Sequence, residues 1–359
     1  MAEHDAGADR RSLLRLFGER NEFFKSYQER RKAFSALLLD AAARRKAFEA
    51  EQEQRLSELE SALSEEIGAS RAALSELTLV SPEEAKDVPL HRAAYSDRMS
   101  ALMAKLSLLA YVEFEDPAKK EVLEAALECA GFSLKGVFKE ADTEAFIAEC
   151  QDFVVLAFRG TTSQNDRKTD MRVLQRMETV PGHKRTVKVH QGFYDAFHMV
   201  GPQAHAALCE TPSNKPIFLT GHSLGGALAL VASAAYSGED RLGSRIAAVY
   251  TFGAPRVGAK SFQDVVKAPH HRVVNHYDLV PNVPPSWLSG YRHTGDCLLL
   301  KHNRIKPIRT RPIGSVIGLA LIGLLLWPLR RGLLFLRVHD IALYASRLDV
   351  IATDRGRWS

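Results

Sequence analysis

The stretch IFLTGHSLGGALALVASAAYS, residues 217–237, restricts the fold more than any other part of this chain. Its first residues form a short apolar run, as expected of a strand buried on both faces. From Leu224 to about Ser237 it is rich in Ala and Leu, which favour helix. Between the two lies Gly221-His222-Ser223-Leu224-Gly225, a G-x-S-x-G. Glycines at this spacing let a strand turn sharply into a helix without Cβ clashes. The turn lifts the Ser223 hydroxyl clear of the sheet, and the N–H groups and positive dipole end of the following helix face whatever carbonyl approaches it. A strand, a tight turn and a helix carrying a serine poised for attack are therefore expected here.

The flanks extend the same pattern. Residues 97–112 and 119–130 read as helices, and FSLKGVF (132–138) as a strand. AFIAECQDFVVLAFRG reads as a hairpin joined near Gln151-Asp152. Further strand-like runs, IAAVYTFG (246–253) and RVVNHY (272–277), alternate with helix-like segments. Alternation of this kind predicts an α/β domain with a mostly parallel central sheet.

A serine hydroxyl is a weak nucleophile until a base takes its proton. When the serine sits on such an elbow, its partners follow in the chain order acid, then histidine. RVVNHYDLVPNVPP supplies Asp278 just after a strand-like run. The candidate histidines beyond it are His293, His302 and His339. Several stretches together resemble the class 3 lipases, the fungal triacylglycerol lipase type: VVLAFRGTTS (154–163), VHQGFYDAF (189–197), LTGHSLGGALA (219–229), TFGAPRVG (251–258), NHYDLVPNVPP (275–285) and HDIALY (339–344). The resemblance implies an α/β-hydrolase fold and an ester hydrolase whose triad is Ser223, Asp278 and His339. It implies an oxyanion hole built from the backbone N–H groups of Thr161 and Leu224, with His293 a packing or hydrogen-bonding residue near the acid. It implies a lipid substrate and no cofactor. One departure stands out. The family usually has an Asp-Trp pair after the oxyanion loop, whereas here Arg167 follows Asp166. The segment from Gln164 to His190, where relatives carry a lid, is polar and basic, which argues against an apolar lid.

The resemblance leaves two regions uncovered. Residues 10–78 contain no Pro and few Gly, and Phe17, Phe24, Tyr27, Phe34 and Leu38 fall at heptad-compatible spacing. Residues 1–88 are thus expected to be a long α-helical N-terminal region, a hairpin or imperfect coiled coil able to self-associate or bind a protein partner. Residues 89–359 are expected to form the hydrolase domain. The second region is Ile313–Leu329, 17 uncharged residues with arginine on both flanks. A membrane span needs ~20 apolar residues, with ~17 the lower limit. Yet this run lies between Asp278 and His339, and a single crossing would put Ser223 and His339 on opposite sides of the bilayer. It is therefore expected to dip into one leaflet or lie at its surface, with a hydrophobic helix packed on the protein's own core or on the N-terminal helices as the rival.

Charge follows the same division. Residues 301–359 hold 11 Lys/Arg and 3 Asp/Glu, a balance of +8 against +5 for the whole chain. A basic cluster beside an apolar run suits an anionic membrane better than nucleic acid, and no nucleic-acid-binding motif is present. Cys129, Cys150, Cys209 and Cys297 are scattered, as expected for free thiols in a reducing compartment. The polar N-terminus lacks the pattern of a secretory signal. These features predict a cytoplasmic protein, peripheral on the inner face of a membrane. His270, His271 and His276 lie close in sequence without an acidic cluster beside them, and no metal site is expected. The competing reading from a different class is a non-catalytic membrane-associated adaptor working through its N-terminal helices.

Overall fold

The computed structural model describes residues 94–160, 175–179, 186–286, 290–301, 304–308 and 338–356, together with positions 54, 58, 61, 65 and 88. The chain divides into two compact units, Met1–Ala62 and Leu63–Ser359. In the first, Gln54 donates to Glu58 one helical turn on at 3.0 Å, on an exposed face. The heptad-like spacing over 10–78, the Thr161 loop, His302 and the apolar run 313–329 all lie outside the described residues.

The second unit is a sheet between helical layers. Helix α1 (Asp97–Leu109) is capped by Ser96, whose hydroxyl accepts from Met99 N. Helix α2 (Pro117–Cys129) has Asp116 as its cap and Pro117 in its first turn, where a missing N–H costs nothing. Strands β1 (Ser133–Glu140), β2 (Thr143–Glu149) and β3 (Val154–Phe158) follow as an antiparallel meander. A two-stranded ribbon, β4 (Gln175–Thr179) and β5 (Thr186–His190), leads into helix α3 (Gln191–Glu210). Then come β6 (Ile217–His222), α4 (Leu224–Ser237), β7 (Ile246–Phe252), the short α5 (Lys260–Gln263) and β8 (His270–Asn275). The hairpin β9 (Asp296–Lys301) and β10 (Arg304–Ile308) precedes the last helix, α6 (Ile341–Gly356).

Eight strands share one sheet in the order β1-β2-β3-β6-β7-β8-β9-β10. Neighbours from β3 through β9 are parallel. This is the mostly parallel sheet of an α/β-hydrolase. Its central strands are buried on both faces, with period-2 alternation between two cores. Phe146, Val155 and Ala157 join Phe218, Tyr250 and Val273 on the face covered by α1 and α6. Ile147, Val154, Leu156 and Leu219 face the other way, toward α3 and α4. Helix α1 is buried almost all round because it is wedged between β6 and α6. Two of its buried polar residues are paired there. Ser107 shares a hydrogen bond with Thr220 at 2.9 Å, and Lys105 pairs with Asp349 at 2.7 Å.

Strands β4, β5, β9 and β10 went unread in the sequence. Within the polar lid segment, β5 alternates exposed Thr186 and Lys188 with buried Val187 and Val189, a period-2 signal the basic composition obscured. In β10, Pro307 argues against a strand, but β10 is the sheet edge, where a residue without an N–H is tolerated and discourages further pairing.

Candidate active site

The C-terminal ends of the parallel strands converge on Ser223. After β6, Ser223 takes φ 57° and ψ −126°, a backbone conformation an L-residue adopts only under constraint. What imposes it is close packing of the elbow against β3. A Cβ on Gly225 would lie 2.2 Å from the carbonyl oxygen of Phe158, so only glycine lets the helix start this near the sheet. Ser223 N donates to Phe252 O at 2.9 Å, which anchors the turn to β7. The first N–H groups of α4, that of Leu224 among them, have no intrahelical acceptor.

Asp278 comes three residues after β8, in a loop rather than at the strand's last residue. The loop is braced. Asp278 N donates to Asn275 O at 3.1 Å, and Arg256 donates to the carbonyls of Asn282 and Pro284. Within this frame the Asp278 carboxylate has three partners. Oδ1 accepts from Val280 N at 2.9 Å. Oδ2 accepts from the Tyr344 hydroxyl at 2.6 Å and faces His339 Nδ1 at 2.7 Å. The other ring nitrogen, His339 Nε2, lies 2.8 Å from Ser223 Oγ. Since Oδ2 accepts, Nδ1 carries a proton; Nε2 is then free to take one from the serine. The side chains of Asp278 and His339 are fully buried, and Ser223 is 6% exposed.

Of the residues singled out in the sequence, Ser223, Asp278 and His339 are brought together, with Leu224 beside them. Thr161 lies outside the described residues, two positions beyond Arg159 and next to the described Gly160. His293 takes no part in the triad. Its Nε2 donates to the Pro281 carbonyl at 2.6 Å, so it secures the loop that carries the acid. Burial, then Arg272 and Arg256, hold its pKa well below the usual histidine value. His270 and His271 both lie in β8, which starts two residues earlier than expected. His270 is bound between Thr251 at 2.9 Å and Thr294 at 2.7 Å. Its pKa is pressed far down by burial, then by Arg272 and His271.

Four contacts around the site had no role assigned from sequence. Tyr344 was part of a recognised stretch but was not tied to the acid. Gly253, at φ 60°, leaves room that a Cβ would take 2.7 Å from Asp278 Oδ2 and 2.8 Å from His339 Cε1. His222 and Tyr111 form a chain of hydrogen bonds to the His339 main chain. The positive φ behind Gly253 could be suspected from its place after a strand. The Tyr111 contact spans 111 residues and has no local signal.

Comparison with known proteins bears on the domain that carries this site. Residues 155–287 match the family described as lipase (class 3). The chain is 35% identical over 165 residues to a lipase of Rhizopus niveus, covering 43% of this chain and 41% of that protein. It is 34% identical over 164 residues to a lipase of Rhizomucor miehei, covering 43% of this chain and 44% of that protein. It thus spans well under half the length of these curated relatives. Among solved structures, the native Rhizomucor miehei lipase propeptide complex superposes with a TM-score of 0.51 at 26% identity, over 61% of this chain and 74% of that one. In the topology of its sheet and over residues 155–287, the α/β-hydrolase domain of this chain is similar to the class 3 lipases.

Proposed function

We propose that this chain is a serine ester hydrolase that cleaves fatty-acyl esters of glycerolipids at a membrane surface. The observation that carries the reading is the 2.8 Å approach of His339 Nε2 to Ser223 Oγ while Nδ1 is held by Asp278. In this reading Ser223 Oγ attacks the ester carbonyl and passes its proton to His339. Asp278 holds the imidazole in the reactive tautomer and stabilises the imidazolium. The oxyanion meets the N–H groups of Leu224 and Thr161, each donor worth about 10²–10³ in turnover. The tetrahedral intermediate collapses, the C–O bond breaks, and the glyceride alcohol leaves with the proton from His339. Water, deprotonated by the same imidazole, then attacks the acyl-enzyme. The fatty acid departs and Ser223 recovers its proton.

Relatives bearing the name lipase support a lipid substrate. Sequence order supports a membrane surface, since the uncharged run 313–329 has basic flanks and is threaded between the acid and the base. Two basic flanks favour both ends on the same side of the bilayer. Labelling by a fluorophosphonate in the presence of anionic vesicles, with Ser223→Ala as blank, tests the chemistry. An unlabelled wild type, or equal labelling of Ser223→Ala, overturns it in favour of a non-catalytic adaptor. Replacing 313–329 by a short linker tests the surface. Release from anionic vesicles with soluble-ester hydrolysis retained is expected, and undiminished vesicle binding refutes the membrane role.

A further inference from the structure

His339 stands on a turn, in front of α6, and not on a strand or within a helix. A base at such a position needs its backbone fixed by something else, because turns lack the regular ladder that sets a strand. Two side chains from the sheet supply this. Asn275, the last residue of β8, donates through Nδ2 to Val338 O at 2.9 Å. His222, the last residue of β6, approaches the next carbonyl, His339 O, with its Nε2 at 2.6 Å. Consecutive carbonyls of the turn are therefore held by the ends of β8 and β6, the two parallel strands that flank β7, and His222 is the residue before Ser223.

Hydrogen-bond direction fixes the state of His222. A carbonyl oxygen only accepts, so Nε2 carries the proton. In the neutral ring Nδ1 then has a lone pair, and the Tyr111 hydroxyl sits 2.7 Å from it as donor. His222 is 2% exposed, so neither nitrogen can exchange these partners for bulk water at low cost. The ring also lies against that of His339, with centroids 4.5 Å apart and planes inclined at 37°. Tyr111, just after α1, is crowded from the other side as well. A Cβ on Gly160 would come 2.2 Å from its hydroxyl. Gly160 is the residue before Thr161.

We propose that His222 and Tyr111 are positioning residues for the reaction. The His339 carbonyl fixes the Nε2–H tautomer of His222, Tyr111 holds the ring through Nδ1, and His222 thereby anchors the His339 main chain, so that its imidazole keeps the distance to Ser223. The two ends of the serine–histidine pair are thereby set by adjacent residues of one strand end. A proton on both nitrogens of His222 would turn the Tyr111 hydroxyl into an acceptor and set a positive charge beside the His339 ring, 4.5 Å away between centroids. The relay therefore works with a neutral His222 while His339 carries the positive charge. It also ties α1 and the start of the oxyanion loop to the base, which makes Tyr111 a point where two parts of the site are aligned together. This role rests on the ester-hydrolase reading above.

The test compares Tyr111→Phe, His222→Gln and His222→Leu on a short soluble ester, with rates divided by the fraction of sites titrated by fluorophosphonate. Glutamine keeps an N–H that reaches the carbonyl; leucine keeps none. His222→Leu should lose about 10²-fold in kcat with KM little changed, the effect of misplacing a reacting group by about an ångström. Tyr111→Phe should lose about fivefold, the worth of one neutral hydrogen bond. His222→Gln should recover most of the turnover lost by leucine. A merely structural role would lower the melting temperature and the titratable fraction but not turnover per titrated site. Turnover per site within about twofold of wild type in both Tyr111→Phe and His222→Leu overturns the proposal. So does a glutamine variant no better than leucine. A wild type that does not label sinks the hydrolase reading instead. The relay is then read from the downfield imidazole proton of His339 shared with Asp278: a resonance unmoved by Tyr111→Phe and His222→Gln refutes it.

Discussion

Gly253→Ala separates backbone strain from damage to the triad. Gly253 follows β7 with φ 60°, in the left-handed region. An L-residue there costs ~1–2 kcal/mol. The added Cβ would also stand 2.7 Å from Asp278 Oδ2, 2.8 Å from His339 Cε1 and 2.9 Å from its Nδ1. Both partners are fully buried, and Asp278 is held by Val280 N and Tyr344, so neither has an empty space to enter. Relief must open the Asp278–His339 contact by roughly half an ångström or more, which at a reacting centre is worth on the order of 10²-fold in rate. Gly131 is the control. Its φ is 77°, but a Cβ there meets nothing within 4 Å. Gly131→Ala should lose only the strain term, a few degrees in melting temperature at about 2–4 °C per kcal/mol. Gly253→Ala should lose at least as much stability and nearly all of its fluorophosphonate labelling rate, measured as kinact/KI on the folded protein. Wild-type labelling by Gly253→Ala would show that Asp278 and His339 move aside freely, and would refute the inference that this glycine is required by the triad.

Other outcomes follow from the buried polar network. Tyr344→Phe removes the hydroxyl that donates to Asp278 Oδ2 and accepts from Asn275 N at 2.9 Å. It should cost ~1–3 kcal/mol by urea unfolding, because a buried N–H and a carboxylate each lose a partner, and lower turnover by up to about tenfold. Unchanged stability and turnover would rule out Tyr344 as a brace of the acid. Stability should also depend on pH below neutrality. Burial holds the pKa of His270 far below 6.5 in the folded chain, and that of His293 shifts in the same direction. The unfolded chain therefore binds protons that the folded one does not. The stability is fully present above the unfolded pKa of ~6.5 and is lost progressively as pH falls from there toward the lower folded pKa. Urea midpoints at pH 7.5 and 5.5 should differ accordingly, and a His270→Gln variant should narrow the gap. An equal gap in that variant would exclude His270 as its source.

Much of this domain was legible in the chain itself, for identifiable reasons. The helix expected from Leu224 to about Ser237 matches α4 because the G-x-S-x-G fixes its start through local sterics. The two apolar runs around Gln151-Asp152 do form an antiparallel hairpin, since each is short, apolar and bounded by turn residues. The strand order was not legible. It depends on which strands meet across long loops, as when β3 pairs with β6 although the β4–β5 ribbon and α3 intervene. Nor were β5 and β10. In β5 a basic composition hid a period-2 alternation, and β10 keeps its proline only because the topology makes it an edge.

The sequence by itself determined which residue types had to meet. A serine between two glycines needs a base, and the order of Asp278 and His339 along the chain limits the candidates to three histidines. That much follows from local conformation and from the chemistry of a hydroxyl. Only the tertiary structure decided how they meet. The meeting of His339, and not His293, with Asp278, the brace of Tyr344 on Asp278, the space left by Gly253 and the contact of Tyr111 with His222 are all set by packing between segments 12–117 residues apart. No local pattern encodes such distances, because a hydrogen bond between remote side chains depends on where the folded sheet carries them. Conformational preference is written residue by residue, whereas the geometry of proton transfer exists only once the sheet has closed around it.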